Sequence, residues 1–335
     1  MVVLLIGLGG YLGCDPNSSD IPSGLPTAAK LPSSAPSGGV AAGPASPGVA
    51  APVQAATTII PRTQNTILIG SFNMQRLGPS KLADAWTMEK FAEIIRQFDV
   101  IGLQEITSVD QSTLPKLVQL VNQNGSRYGY AISPRIGRKS TGYFEQYAYV
   151  YDTSRIQGGS EFCYVVNDDA DVLHREPFVG RFQTVANGAP PFRFTLINIH
   201  TDPDEIKQEL DVLADVYKSV RQYEYPEDDI ILLGDLNADP ARLQLLGAIP
   251  DVIPLIQNVF TNTRQSRTID NFLVDKQLTR EFTGRAGVTN LEQMFRIQLR
   301  DAEKISDHLP IWAEFSMFEQ PNQNVMAGAN GGVVR

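Results

Sequence analysis

Several short apolar runs in this chain each stop on a polar or ionisable residue, and that recurrence limits the folds open to it. Thr66-Ile-Leu-Ile-Gly-Ser-Phe72 is followed by Asn73, and Asp99-Val-Ile-Gly-Leu103 by Gln104-Glu105. Phe194-Thr-Leu-Ile-Asn-Ile199 runs into His200, and Ile230-Ile-Leu-Leu-Gly234 into Asp235. Runs this short and this apolar read as buried strands. A buried strand delivers the residue that follows it rigidly to a sheet edge, where sites in layered α/β proteins tend to lie.

Periodicity predicts helices over Thr87 to Gln97, Thr113 to Asn122 and Asp204 to Tyr223, the last opened by acidic residues and Pro203. Further strands are predicted at Gln146–Tyr151, Phe162–Val166, Phe178–Val185, Thr268–Val274 and Leu309–Phe315. Helices early and late, with strands between them, suit two packed sheets with helices on the outer faces.

The ends of the chain read differently. Residues 1–14 are apolar but too short to cross a bilayer, which takes about 20 residues. They resemble a secretory signal, and Leu12-Gly13-Cys14 resembles the end of a bacterial lipobox. The expected location is the cell envelope, with any membrane contact made through a lipid on Cys14, or secretion. Residues 15–62 are Pro, Ala, Ser and Gly rich and are expected to form a disordered tether, with 319–335 a disordered tail. The folded domain is expected over 63–318.

Bulk properties narrow the chemistry. The net charge of −9 argues against tight, sequence-independent adhesion to nucleic acid. It leaves room for a hydrolase of a polyanion, because a bound cation and a local basic groove offset the overall charge. Cys14 and Cys163 are the only cysteines, which excludes a disulfide framework and a cysteine-ligated zinc site.

The strand-end residues carry the chemistry. Glu105 is a suitable ligand for a hard cation such as Mg²⁺. His200, with acidic residues after it, suits proton transfer. Asp235 and Asn237, two apart, can face one side, the Asp orienting water or metal and the Asn donating to a phosphoryl oxygen. Asp270 interrupts an apolar run and needs a buried partner, for which a histidine is the candidate. Ser306-Asp307-His308-Leu-Pro310 supplies a second carboxylate and imidazole.

In this order, the phrases resemble the signature of the endonuclease/exonuclease/phosphatase superfamily, from about Ile67 to Phe315. The deoxyribonuclease I-like branch is the nearest match, on three segments: Ile136-Gly-Arg-Lys-Ser-Thr-Gly-Tyr143-Phe-Glu145, Arg175-Glu-Pro-Phe, and His200-x-x-Pro203 before a helix with Asp215-Val-Tyr217. The resemblance implies a four-layered α/β/β/α sandwich and dependence on Mg²⁺, Mn²⁺ or Ca²⁺. It implies Glu105 as main metal ligand with Asn73 and Asp307. His308 would position or activate water with Asp270 as partner, and His200, paired with Glu145, would protonate the leaving oxygen. Asp235 and Asn237 would orient water and phosphate, and Tyr143, Arg175 and Arg138 would meet the substrate. DNA is the implied substrate, with phospholipid, inositol phosphate or RNA as the alternative and a non-catalytic binding protein as a further one; no protein partner is implied. The arginine that this branch carries just after Gln-Glu is missing, since Ile106-Thr107-Ser108 stands there, and so are its cysteines. Arg135, Arg138 and Lys139 remain as basic residues near the expected groove.

Overall fold

The computed structural model describes residues 61–138, 140–224 and 229–320. The signal-like segment, Cys14, the tether up to residue 60 and the tail from 321 lie outside the described residues, as does Lys139. Among the described residues no helix is long and apolar enough to cross a membrane.

The strands are β1 (Thr66–Leu77), β2 (Val100–Ile106), β3 (Tyr128–Ile132), β4 (Gln146–Asp152), β5 (Ile156–Gln157), β6 (Cys163–Val165) and β7 (Phe178–Thr184). They continue with β8 (Arg193–His200), β9 (Ile230–Asp235), β10 (Val252–Pro254), β11 (Asp270–Asp275), β12 (Phe282–Val288) and β13 (Ile311–Ser316). The helices are α1 (Pro79–Ala83), α2 (Ala85–Ile95), α3 (Thr113–Asn122), α4 (Ile206–Tyr223), α5 (Gln244–Gly247), α6 (Leu291–Phe295) and α7 (Leu299–Ile305). One sheet runs β12-β13-β1-β2-β4-β3; the other runs β10-β11-β9-β8-β7-β5, with β6 also on β7. β1–β2 and β8–β9 pair in parallel and the other neighbours antiparallel. Two stacked mixed sheets with outer helices make the expected α/β/β/α sandwich.

The runs are apolar throughout because each strand is covered twice. Along β8, Phe194 and Leu196 enter the core between the sheets, while Ile197 and Ile199 pack under α4 with Leu210, Leu213 and Tyr217. On the opposite side α2 lays Phe91, Ala92 and Ile95 onto the first sheet. Its start is fixed by Asp84, whose carboxylate accepts from the Trp86 and Thr87 amides, so the helix begins two residues before the apolar periodicity does.

The sheets also meet through polar side chains. Gln104 Nε2 donates to Asn198 Oδ1 at 2.7 Å, and Asn198 Nδ2 to the Leu103 carbonyl, all fully buried. Gln104, one of the polar residues expected at a strand end, and Asn198, two residues before His200, therefore face the interior and tie the two sheets together. Strand alternation explains this, since each sits on the opposite face from its site-directed neighbour or one pleat below it. β3 and β12 escape the apolar-run criterion because they are edge strands. β12 carries Thr283, Gly284 and Arg285 in its exposed half.

Candidate active site

The parallel pairing of β8 with β9 and the antiparallel pairing of β9 with β11 bring three strand ends into one row. His200 is in register with Asp235, and Asp235 with Asp270. In the facing sheet Asn73 is in register with Gln104, which leaves Glu105 at the same edge. Gly234 makes the turn into Asp235 possible. Its φ is +141°, and a Cβ there would lie 1.9 Å from the Ile199 carbonyl oxygen.

Each imidazole is held at Nδ1 by a buried carboxylate and aims Nε2 at a shared third one. His200 Nδ1 lies 3.1 and 3.2 Å from the two Glu145 oxygens. His308 Nδ1 lies 3.0 Å from both oxygens of Asp270. His200 Nε2 is 3.6 Å and His308 Nε2 3.4 Å from Asp235 Oδ2. A carboxylate at Nδ1 fixes the proton on that nitrogen and leaves Nε2 to exchange protons with the cleft.

Both rings are fixed at the backbone as well. The His200 amide donates to the Tyr147 hydroxyl, and its carbonyl accepts from Arg175 Nε at 2.8 Å. The His308 amide donates to Ser306 Oγ, whose hydroxyl donates to the Asn73 carbonyl at 2.8 Å. The serine of Ser-Asp-His is thus a strut between β1 and the second histidine.

Charge and burial set the protonation states. Burial alone would depress His308, but Asp270 and Asp235 override it and lift it to about 10. Burial likewise works against the His200 cation, and the Glu145 charge outweighs it, so His200 rises above its ordinary value. Burial would raise Asp235; the His308 and His200 rings, the Asn237 amide and the Asn73 side chain reverse this and hold it low. Asp270 is pushed up, first by burial and then by the Asp235 charge despite His308.

Glu105, expected to follow β2, lies within it one residue before its end and is left-handed, φ 60°. Asn73 Nδ2 donates to its Oε1 at 3.0 Å and to Asp235 Oδ2 at 3.1 Å. The Arg76 amide donates to Glu105 Oε2 at 2.9 Å. Asp307 is over half exposed, with its carboxylate 4.0 Å from His308 Nε2, and no hydrogen bond joins it to Glu105 or Asn73. Asn237, also left-handed at φ 48°, donates its amide to Asp235 Oδ1 and one side-chain hydrogen to the Thr201 carbonyl. The donor set suits a hard dication. Glu105 and Asp307 offer carboxylate oxygens, whereas the Asn73 oxygen expected beside them accepts from the Gln75 amide and its Nδ2 faces Glu105; no Lys or Arg forms an ion pair with Glu105, Asp235 or Asp307 among the described residues.

A cleft of about 330 Å³ opens beside His200, lined by Arg76, Glu105, Tyr143, His174, Arg175 and Asp202, among others. Arg175 is nearly buried, its guanidinium carbon 5.9 Å from the Tyr143 ring centroid, and its Nη2 has no hydrogen-bond partner. Gly137 seats against the Tyr143 carbonyl; a Cβ there would lie 2.2 Å from that oxygen, at φ +148°.

Of the basic residues expected at the groove, Arg135 donates to the Thr107, Ser108 and Phe144 carbonyls. Arg138 is turned inward, bonded to His174 Nε2, Glu205 and the Asp171 and Val172 carbonyls. Sequence reasoning overlooked His174, whose Nδ1 lies 3.2 Å from Asp202, and Lys81, whose ammonium donates to the Met74 and Ile305 carbonyls at 2.8 and 2.6 Å. Nothing local in the sequence marks Lys81. It also overlooked Arg76, a basic residue three positions after Asn73, because β1 was expected to stop at Asn73 and instead runs on to Leu77.

Comparison with known proteins agrees with the geometry. The Endonuclease/Exonuclease/phosphatase family matches residues 70–308. Human deoxyribonuclease-1-like 1 is 32% identical over 261 residues, covering 74% of this chain and 84% of that protein. Chicken deoxyribonuclease-1 is 28% identical, covering 76% and 94%. The crystal structure of an endonuclease/exonuclease/phosphatase family protein from Bacteroides thetaiotaomicron shares the fold, with a TM-score of 0.50 at 18% identity over 76% of this chain and 98% of that one. The chain is a phosphoester hydrolase of the endonuclease/exonuclease/phosphatase family, in its deoxyribonuclease I-like branch.

Proposed function

We propose that the protein is a divalent-cation-dependent deoxyribonuclease that cleaves phosphodiesters by direct attack of water. The observation that carries this reading is the convergence of two carboxylate-backed imidazoles on Asp235. A phosphodiester needs one group to take a proton from water and another to protonate the leaving oxygen, and two such rings on either side of one carboxylate supply both. Relatives named as deoxyribonucleases support DNA as the substrate.

In this reading His308 Nε2 receives the proton of the attacking water, while Asp270 holds its Nδ1–H. His200, kept protonated beside Glu145, donates from Nε2 to the departing oxygen. Asp235 accepts from the water and keeps the rings apart in role, and the free side-chain hydrogen of Asn237 meets a phosphoryl oxygen. Tyr143 and the unpartnered Nη2 of Arg175 hold the substrate phosphate from the cleft side. Glu105 and Asp307 are the residues that would hold Mg²⁺, with Mn²⁺ or Ca²⁺ as alternatives, and Asn73, expected as a third ligand, would steady Glu105 through its Nδ2 while its oxygen holds the Gln75 amide. Bound there, the ion would neutralise phosphate charge and favour the neutral form of the neighbouring imidazole.

The test is nicking of supercoiled plasmid with Mg²⁺, with and without EDTA, by wild type, His200→Ala and His308→Ala. Each variant should lose about 10²–10⁴-fold in rate while keeping the wild-type circular dichroism spectrum. Near-full activity in either variant, or in EDTA, would refute the assignment.

A further inference from the structure

A polyanionic substrate needs cations for the phosphates beyond the scissile one, and of the basic residues expected at the groove the two that are described, Arg135 and Arg138, are engaged elsewhere. Arg135 and Arg138 are hydrogen-bonded within the protein, and no arginine follows Gln104-Glu105. Arg76 differs from both. It is exposed at the cleft wall, and its guanidinium forms no hydrogen bond or ion pair among the described residues. Its guanidinium carbon lies over the aromatic face of Tyr143, 6.0 Å from the ring centroid. Arg175 approaches the same ring at 5.9 Å, so one phenol spaces two guanidinium groups within one cleft.

The backbone at this point is built to hold that side chain in place. β1 and β2 are in register at Asn73–Gln104 and again at Leu77–Ile106, so Met74, Gln75 and Arg76 stand opposite Glu105 alone. Gln75 and Arg76 absorb the excess with left-handed φ values of 45° and 59°. Conformations of this kind persist only where the surroundings enforce them. Here the Gln75 amide is held by Asn73 Oδ1 at 2.9 Å and the Arg76 amide by Glu105 Oε2 at 2.9 Å. The Arg76 backbone is therefore locked to the carboxylate at the centre of the site, on β1 opposite Glu105 and one residue before Leu77, which pairs with Ile106, the residue that stands where the branch's arginine is missing.

Resting on the deoxyribonuclease reading, we propose that Arg76 binds the DNA backbone phosphate next to the scissile one, replacing from β1 the arginine absent after Glu105. The contact is a charge-assisted one to a phosphate, so it adds affinity and salt dependence without sequence preference. Tyr143 orients the guanidinium plane, and Arg175, nearer His200, is left to the scissile group.

The experiment compares wild type, Arg76→Gln and Arg76→Lys. All three keep the Cβ and the amide that holds Glu105, so the bulge is unchanged. KM and kcat are measured on duplex DNA with Mg²⁺ over a salt series, and binding of a labelled duplex is measured in EDTA. Arg76→Gln should raise KM about tenfold, with the loss falling on KM more than on kcat, and should flatten the log-affinity against log-salt slope by about 0.9, one phosphate contact. Arg76→Lys should restore most of that slope. Wild-type KM and slope in Arg76→Gln would overturn the assignment of Arg76 alone. A wild-type protein that neither binds nor cleaves DNA would overturn the deoxyribonuclease reading and this inference with it.

Discussion

Glu145→Gln separates the charge of the His200 partner from its shape. Glu145 is fully buried, and both its oxygens lie within 3.2 Å of His200 Nδ1. A glutamine oxygen can still accept from Nδ1–H, so the ring keeps its orientation and loses only the ionic part of the contact. Hydrogen bonds to charged groups contribute about 1.5–3 kcal/mol and neutral ones about 0.5–1.5 kcal/mol. The difference, about 1–2 kcal/mol, corresponds to a fall in kcat of about 5–30-fold. That is smaller than the loss on deleting the acid itself, about 10²–10⁴-fold in His200→Ala. The sign of the pH effect follows from the same contact. Glu145 holds His200 above its ordinary value, and the protonated ring is the form that donates. The rate therefore falls as pH rises through that value. Without the carboxylate the value drops, so the alkaline limb moves to lower pH and the deficit grows with pH. The assay is kcat against pH at saturating DNA and Mg²⁺, with thermal unfolding as a check that Arg175, which keeps its bond to the His200 carbonyl, still packs. An alkaline limb unmoved in Glu145→Gln, or a loss equal to that of His200→Ala at every pH, would show that Glu145 does not act through the imidazolium charge.

Gly234→Ala forces a methyl onto the Ile199 carbonyl and should lower unfolding free energy by about 3–5 kcal/mol, whereas Gly188→Ala, at φ +87° but in open space, should cost about 1 kcal/mol; equal midpoints in urea would contradict the steric account. Lys81→Met strips the donor from the buried Met74 and Ile305 carbonyls and should cost about 1–3 kcal/mol in the same assay, with Lys81→Arg recovering part of it; an unchanged midpoint would mean the ammonium is not what joins β1 to the end of α7.

Strand-end chemistry was legible from the chain alone because it is local. A short apolar run must be a buried strand, a buried strand must end at a sheet edge, and whatever polar residue follows is presented there. That is why Asn73, Glu105, His200 and Asp235 could each be placed at a sheet edge before any fold was known, whereas Asp270, expected inside a strand over Thr268–Val274, opens β11 instead. Asp270 could also be matched to a histidine, since a buried carboxylate requires a partner. Which histidine belonged to it came from the family resemblance, which paired His308 with Asp270 and His200 with Glu145; that both rings share Asp235 depends on strand order, because β8, β9 and β11 are neighbours in space and far apart in sequence.

The same limit explains the differences at the rim. Arg138 and Arg135 look like groove cations in a row of letters, but a guanidinium reaches several ångströms from its backbone. Whether it meets substrate or a neighbouring carbonyl is decided by loops it does not share. Gln104 and Asn198 sit beside site residues in sequence, and the pleat turns them inward, where they join the sheets. By itself the sequence determined the layered α/β class and the chemical inventory of the site, through periodicity and the cost of burying polar groups. Only the tertiary structure decided the sharing of Asp235 by the two rings, the inward turn of Arg138 and the outward one of Arg76, because each depends on contacts between segments that the chain brings together only on folding.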